Sequence, residues 1–127
     1  MSTYKTGIVA QVGTDIIQQT QVEPAGGGAL AADRIYTGAF RVYGVVIDNS
    51  LNSAISYLKC WDLAAPDLAN DAPHMLLRAD AATKVQYNFD TGVYFATAIS
   101  AAVVTSGGTG GVTAPSGTMT ISYLLGA

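Results

Sequence analysis

The sequence predicts an all-β protein: an antiparallel β-sandwich of about eight strands, for which a jelly-roll-like arrangement is a candidate. Three observations lead to this class. Pro and Gly divide the 127 residues into short segments. Those segments are rich in Val, Ile, Tyr, Phe and Thr, which favour strands. Apolar and polar side chains alternate within them, as in a strand with one buried face. At this length, one domain with one core is sufficient.

Ten short segments are candidate strands, and neighbouring candidates can merge. They are residues 4–9, 15–22, 35–40, 41–47, 54–61, 74–78, 84–89, 93–98, 101–105 and 118–124. The alternation is clear in residues 119–123, where Met, Ile and Tyr occupy every second position. The order of the strands in their sheets does not follow from the sequence.

Glycine-rich stretches at residues 25–29 and 107–111 interrupt the strands and are interpreted as loops. They suggest three parts: residues 1–25 as an N-terminal arm or the first strands, 26–34 as a glycine-rich hinge, and 35–127 as the β-sandwich domain. In the arm hypothesis, residues 1–23 reach away from the sandwich. Ile17 and Val22 then belong to a segment that pairs with an exposed sheet edge of a neighbouring chain.

The chain carries little charge. Charged residues make up 12% of it, and the net charge is −3, against a usual share of about 25%. The six basic residues are scattered singly, so we expect no nucleic-acid partner. A neutral surface gives little defence against association, so we expect a homo-oligomer. Residues 91–127 contain no charge, which suits central strands or strands that contact a neighbouring subunit.

No segment reads as a membrane span, because the longest weakly polar stretch, residues 92–104, is shorter than the roughly 20 residues a helix needs. We therefore expect no membrane partner. The first five residues lack the basic and apolar blocks of a secretory signal, so assembly in a host cytoplasm is expected. Cys60 is the only cysteine, which excludes an intrachain disulfide.

The sequence offers little catalytic chemistry. Cys60 and His74 are the only residues that could form a Cys-His pair. The simpler interpretation is a small core residue and a histidine at a strand end. Asp62, Asp67 and Asp71, with Asn70, could suggest a calcium loop, but turn chemistry explains them better. We predict no catalytic residue, no cofactor and no metal site, and hence no enzyme.

Residues 54–61 provide a candidate interface. The alternation places Leu58 and Cys60 on the core face and Tyr57, Lys59 and Trp61 on the other. That second face is predicted to be an exposed aromatic surface along which the Lys59 stem lies. Aromatic residues of this chain could instead form a platform for sugars, although in a short domain they more often fill the core or an interface.

One pattern resembles a group of small bacteriophage and prophage structural proteins. It comprises Tyr57-Leu58-Lys59-Cys60-Trp61-Asp62, Ala65-Pro66, Asp71-Ala72-Pro73, Phe89-x-x-Gly92-Val93-x-Phe95 and Ala98-Ile99-x-x-Ala102. The resemblance covers roughly residues 54–104. Cys60 departs from it, since Leu or a similar residue is expected there, and so does the pair Ala69-Asn70, where glycine is common.

The resemblance implies a compact sandwich that serves as a virion component. A capsid decoration or cement protein that stabilises the head lattice is the leading expectation, because the small size, neutral surface and arm suit a clamp. A neck, tail or fibre-base component is an alternative, and a carbohydrate-binding module is an alternative of another class. The expected partners are the major capsid protein or other virion proteins.

Overall fold

The structure, a computed structural model, describes residues 17–23 and 32–126 and confirms the all-β prediction. The eight strands are β1 Ile17–Glu23, β2 Asp33–Thr37, β3 Phe40–Asp48, β4 Ser56–Trp61, β5 Met75–Ala79, β6 Lys84–Phe95, β7 Ala98–Val104 and β8 Met119–Gly126. Within this part of the chain, no helix has the length and apolar character needed to cross a membrane.

The strands form two four-stranded antiparallel sheets. Sheet A has the order β1-β8-β3-β6, and sheet B has the order β2-β7-β4-β5. Each strand of the first half thus pairs with its counterpart in the second half: β1 with β8, β2 with β7, β3 with β6, and β4 with β5. This is the order obtained when one long hairpin wraps around itself, which defines a jelly roll. The jelly-roll arrangement is therefore confirmed.

The core lies between the two sheets and follows the alternation of their strands. Its buried members are Val42, Val45, Ile47, Leu58, Cys60, Leu77, Ala79, Phe95, Ile99, Ala101, Val103, Met119, Ile121, Tyr123 and Leu125. The placement of Leu58 and Cys60 in the core is confirmed. The charge-free C-terminal run supplies β7 and β8, each of which has a strand on both sides, so its composition matches its central position.

β6 joins the predicted strand 84–89 to the first three residues of the predicted strand 93–98. Val42 of β3 pairs with Val93, and Gly44 pairs with Asn88, so Tyr43 alone stands opposite residues 89–92. The strand absorbs these extra residues as a bulge. Gly92 lies there with φ of +77°, and a Cβ at this position would come within 2.9 Å of the Arg41 Cβ. Only glycine suits both the backbone and the space.

The first described strand corrects the arm hypothesis. β1 pairs with β8 of its own chain, from Ile17 opposite Leu125 to Glu23 opposite Met119. The expectation that this segment reaches away from the sandwich is therefore wrong for Ile17–Glu23. The outer edge of β8 offers unpaired backbone groups, and pairing within one chain satisfies them without loss of translational freedom. The predicted strand 4–9 and the triglycine lie outside the described residues.

The predicted domain boundary also shifts. β2 begins at Asp33, so the last two residues of the expected 26–34 hinge belong to sheet B. Together with β1 in sheet A, this makes the sandwich begin before residue 35, its expected first residue.

Candidate interaction surface

The face predicted as an exposed interface is covered. Tyr57, Lys59 and Trp61 do lie opposite the core face of β4, but Lys59 and Trp61 are 0% exposed and Tyr57 is half-buried. The expectation of an exposed aromatic surface is therefore wrong. Two loops lie across this outer face of sheet B: residues 62–74 between β4 and β5, and residues 105–118 between β7 and β8. We call these two segments the loop layer.

Lys59 connects both loops to the sheet. Its ammonium donates hydrogen bonds to the carbonyls of Leu68 at 3.2 Å, Thr109 at 2.9 Å and Gly111 at 2.9 Å. An ammonium has three N–H donors, so each has one acceptor. The Nζ atom also lies 5.3 Å from the centre of the Trp61 ring, within the range of a cation–π interaction. Burial lowers the pKa of Lys59, while the carbonyls favour its charged form.

Further contacts hold the loop layer against sheet B. The Trp61 indole donates to the Asp71 carbonyl at 2.8 Å, and the Ser100 hydroxyl donates to the Leu63 carbonyl at 2.7 Å. Gly107 packs so closely on Tyr57 that an added Cβ would lie 3.1 Å from the ring. The chain itself therefore covers the outer face of the central strands β4 and β7, while Leu76 and Arg78 of the edge strand β5 stay exposed.

Asp62, at the end of β4, organises the turn between β6 and β7. Its carboxylate accepts hydrogen bonds from the amides of Thr97 at 2.7 Å, Ala96 at 3.0 Å and Ala98 at 3.3 Å. Partial burial opposes ionisation, but these bonds and the nearby His74 outweigh it and lower the pKa of Asp62. The carboxylate thus serves as a cap for a turn.

Cys60 and His74 do not form a nucleophilic pair. Burial raises the pKa of the Cys60 thiol, which is 0% exposed, so little reactive thiolate forms. The His74 Nε2 atom lies 2.8 Å from the Tyr94 carbonyl, and the ring packs edge-on against Phe95. The interpretation of Cys60 as a core residue is confirmed.

The aspartates between β4 and β5 bind their own loop. Asp67 accepts hydrogen bonds from the Ala69 amide at 3.0 Å and the Asn70 side chain at 2.9 Å, and the Asp67 amide donates to Asp71 at 2.8 Å. These are the contacts expected of turn chemistry. Across residues 17–23 and 32–126, no group of three or more His, Cys, Asp or Glu side chains could hold a metal ion.

The outer face of sheet A differs from that of sheet B because it keeps partly or largely exposed side chains. We call it the open face. Its members are Val22 of β1, Thr120, Ser122 and Leu124 of β8, Val46 and Asp48 of β3, and Lys84, Gln86 and Asn88 of β6. Asp48 and Lys84 carry opposite charges and are cross-strand neighbours, and Asp90 of β6 and Arg41 of β3 add one more charge of each sign to this side of the sheet. The open face is therefore almost neutral.

Of the predicted interface residues on β1, Val22 lies on the open face and is 52% exposed. Ile17 stands opposite Leu125 at the other end of the strand. Sequence reasoning missed Thr120, Ser122 and Leu124 as surface residues. The alternation that places Met119, Ile121 and Tyr123 in the core also directs the residues between and after them outward. The sequence therefore contains the pattern needed to predict these surface residues.

The fold and its surfaces define a jelly-roll domain in which loops cover the centre of one outer sheet face and leave the other open. No protein-family model matches the chain, and neither does any curated protein.

Proposed function

We propose that this protein is a non-enzymatic structural component of a bacteriophage particle, a capsid decoration or cement protein that binds the head lattice through its open face. The contrast between the two sheet faces carries the proposal: the chain covers the centre of the outer face of sheet B with its own loops and leaves the outer face of sheet A exposed and nearly neutral. Jelly rolls occur in viral capsid proteins but also in lectins. Fold alone therefore does not assign the function, and the resemblance of residues 54–104 to small phage structural proteins adds support.

The chemistry of the open face suits a protein partner. Ser122, Thr120, Gln86 and Asn88 offer hydrogen bonds without the cost of removing a full charge from water. Leu124 is 37% exposed and adds apolar area near the centre. The part of the face on β8 carries no charge and resembles the inner part of a protein–protein interface.

The open face is small, so the proposal requires that many copies of the protein bind the same particle. Four strands about 4.8 Å apart and seven residues long cover roughly 400 Å², about half of what a standard interface buries on each partner. A single contact of this size is weak. On a particle, many copies bind one lattice, so their weak contacts together stabilise it.

The same face would also serve a neck, tail or fibre-base component, which is the nearest alternative. The carbohydrate-binding alternative has less support, because Trp61 and Phe95 are 0% exposed and cannot stack on a sugar. Location on the particle separates the first two functions, and a glycan array tests the third.

A charge placed on the open face tests the proposal. Ser122 lies at its centre, opposite Val46 and Thr20 in the neighbouring strands. We expect Ser122→Lys to weaken binding to particles assembled without this protein by about ten-fold or more, because a buried, unpaired ammonium is costly. Ser116→Lys, in the exposed part of the loop layer, is the matched control and should bind normally.

The measurement is co-sedimentation of the purified protein with particles of the phage or prophage that encodes it, with melting curves to show that both variants fold. Binding that is equal for the two variants would contradict the role of the open face. A wild-type protein that binds no part of the particle would contradict the virion function itself.

A further inference from the structure

Among the described residues, β6 leaves a long strand edge without a partner strand. It ends sheet A on one side and spans twelve residues, whereas the other edge strands span seven in β1 and five each in β2 and β5. Unpaired edges readily accept another strand. Between residues 85 and 89 there is no proline and no charged side chain to prevent this.

The hydrogen-bond parity shows which groups of β6 are available. The Asn49 amide donates to the Thr83 carbonyl at 2.8 Å, one position beyond the pair Asp48–Lys84. Because bonded positions alternate in an antiparallel ladder, Val85 and Tyr87 direct their backbone groups to β3. Lys84, Gln86 and Asn88 direct theirs away from the sheet.

We propose that β6 pairs with β6 of a second copy of this chain, antiparallel, across a two-fold axis at Tyr87. The segment Lys84-Val85-Gln86-Tyr87-Asn88-Phe89-Asp90 is complementary to itself in this register. Lys84 meets Asp90 of the second copy, Val85 meets Phe89, and Gln86 meets Asn88. Opposite charges, apolar pairs and amide pairs are the cross-strand combinations that stabilise a sheet.

The faces of the strand agree with this register. Lys84, Gln86, Asn88 and Asp90 are exposed, whereas Val85, Tyr87 and Phe89 are half-buried against the core. Pairing would cover the apolar side of the edge and join the two A sheets into one of eight strands. The Gln86 amide already donates to Asn88 at 3.1 Å within the strand, so these two groups lie within reach of the same neighbours.

β1, the edge strand on the other side of sheet A among the described residues, is shorter, with seven residues against twelve. The alternation of exposed and half-buried residues continues from Lys84 to Asp90, and the positive φ of Gly92 ends it, so the regular part of the edge is the self-complementary segment. The proposed dimer does not depend on the proposed virion function, because both partners are copies of this chain and no other protein is needed to form it.

Reversing the charges of Lys84 and Asp90 tests the pairing, and sedimentation of the purified protein measures the result. We expect a mass that rises with concentration from 13.1 kDa toward twice that value. Lys84→Asp or Asp90→Lys alone places like charges opposite each other twice per dimer and should weaken dimerisation by on the order of ten-fold. The double exchange should restore it. A monomer at all concentrations, or single variants that dimerise like the wild type, would overturn the proposal.

The register is tested separately with cysteines. Gln86→Cys and Asn88→Cys should each give little disulfide alone, because the two identical positions lie diagonally across the axis, about 7–8 Å apart. An equal mixture should form a disulfide-linked heterodimer on oxidation. The native Cys60 is buried and does not interfere. Equal cross-linking of each variant alone would show a different register and contradict the two-fold axis at Tyr87.

Discussion

Lys59 is a buried charge that has no carboxylate partner among the described residues. An ammonium removed from water is strongly destabilising unless its donors are satisfied. Here, three backbone carbonyls take the place of water, and two of them, Thr109 and Gly111, belong to the same loop. Lys59 therefore loses the hydration of its ammonium, but its hydrogen bonds hold the two loops of the loop layer in place.

Replacing Lys59 with Met should test this balance. Met keeps much of the apolar stem but removes the ammonium, leaving the carbonyls of Leu68, Thr109 and Gly111 without their donor. We expect the free energy of unfolding to fall by about 2 kcal/mol, measured as a lower urea midpoint at constant slope. Arg78→Met, which removes only an exposed ion pair with Asp80, is the control and should change it by less than about 1 kcal/mol. A more stable Lys59→Met protein would show that desolvation of the ammonium outweighs its hydrogen bonds.

The sequence predicted the face on which Lys59 lies but not its surroundings. Alternation along residues 56–61 assigns Leu58 and Cys60 to one side and Lys59 and Trp61 to the other, and the structure agrees. What covers the second side depends on carbonyls nine and fifty residues away. Local periodicity carries no information about contacts of that range.

At the scale of the element, the same limit explains a misplaced turn. Residues 93–98 were predicted as one strand, yet β6 ends at Phe95 and β7 begins at Ala98. The amides of this turn are bound by Asp62, which is more than thirty residues earlier in the chain. Residues with high strand propensity flank the turn on both sides, so the local sequence does not indicate it. The Asp62 side chain that binds its amides is distant in sequence.

The loops at the opposite end of the sandwich are tied together by two buried asparagines. The Asn49 side chain donates to the carbonyls of Ala54 at 3.1 Å and Asp80 at 3.0 Å. Asn52 donates to the Gly117 carbonyl and accepts from the Gly117 amide. Three connections, between β3 and β4, β5 and β6, and β7 and β8, thus share one hydrogen-bonded network.

Gly117 and Gly108 provide a matched pair of substitutions in one loop. A Cβ on Gly117 would lie 2.6 Å from the Leu51 carbonyl oxygen and 2.8 Å from the Asn52 Oδ1 atom, while one on Gly108 would meet nothing within 4 Å. We expect Gly117→Ala to lower the free energy of unfolding by about 2 kcal/mol and Gly108→Ala to leave it almost unchanged. Thermal melting of both variants is the measurement. Equal stabilities would mean that the Asn52 network adjusts without cost.

At the scale of the whole molecule, the content of strands was predictable and their order was not. Short alternating segments identify strands locally. Partners such as Ile17 and Leu125 meet only after the chain has wrapped around the core. The open face was predictable in part. Alternation with the core residues shows which side chains of a strand face outward, but the strands that lie side by side on this face depend on the jelly-roll order.

Two truncations measure how much β1 contributes to the sandwich. A chain without residues 1–16 retains β1, and a chain without residues 1–23 lacks it and exposes the edge of β8. We expect the shorter chain to have a free energy of unfolding lower by about 2 kcal/mol than the longer one, measured by urea denaturation. Equal stability of the two chains would show that β1 adds nothing to the fold and would favour the detachable arm.

The central position of β8 has a consequence for biosynthesis. β1 pairs with no strand of sheet A other than β8, and β3 has only β6 on its other side. While the ribosome is still translating, β1 therefore waits without a partner, and the β3–β6 pair presents an unprotected edge to other nascent chains. Sheet A becomes one continuous hydrogen-bonded sheet only after Met119–Gly126 has been translated. A premature stop before Met119 would release a chain whose sheet A is divided, a substrate for chaperones and proteases.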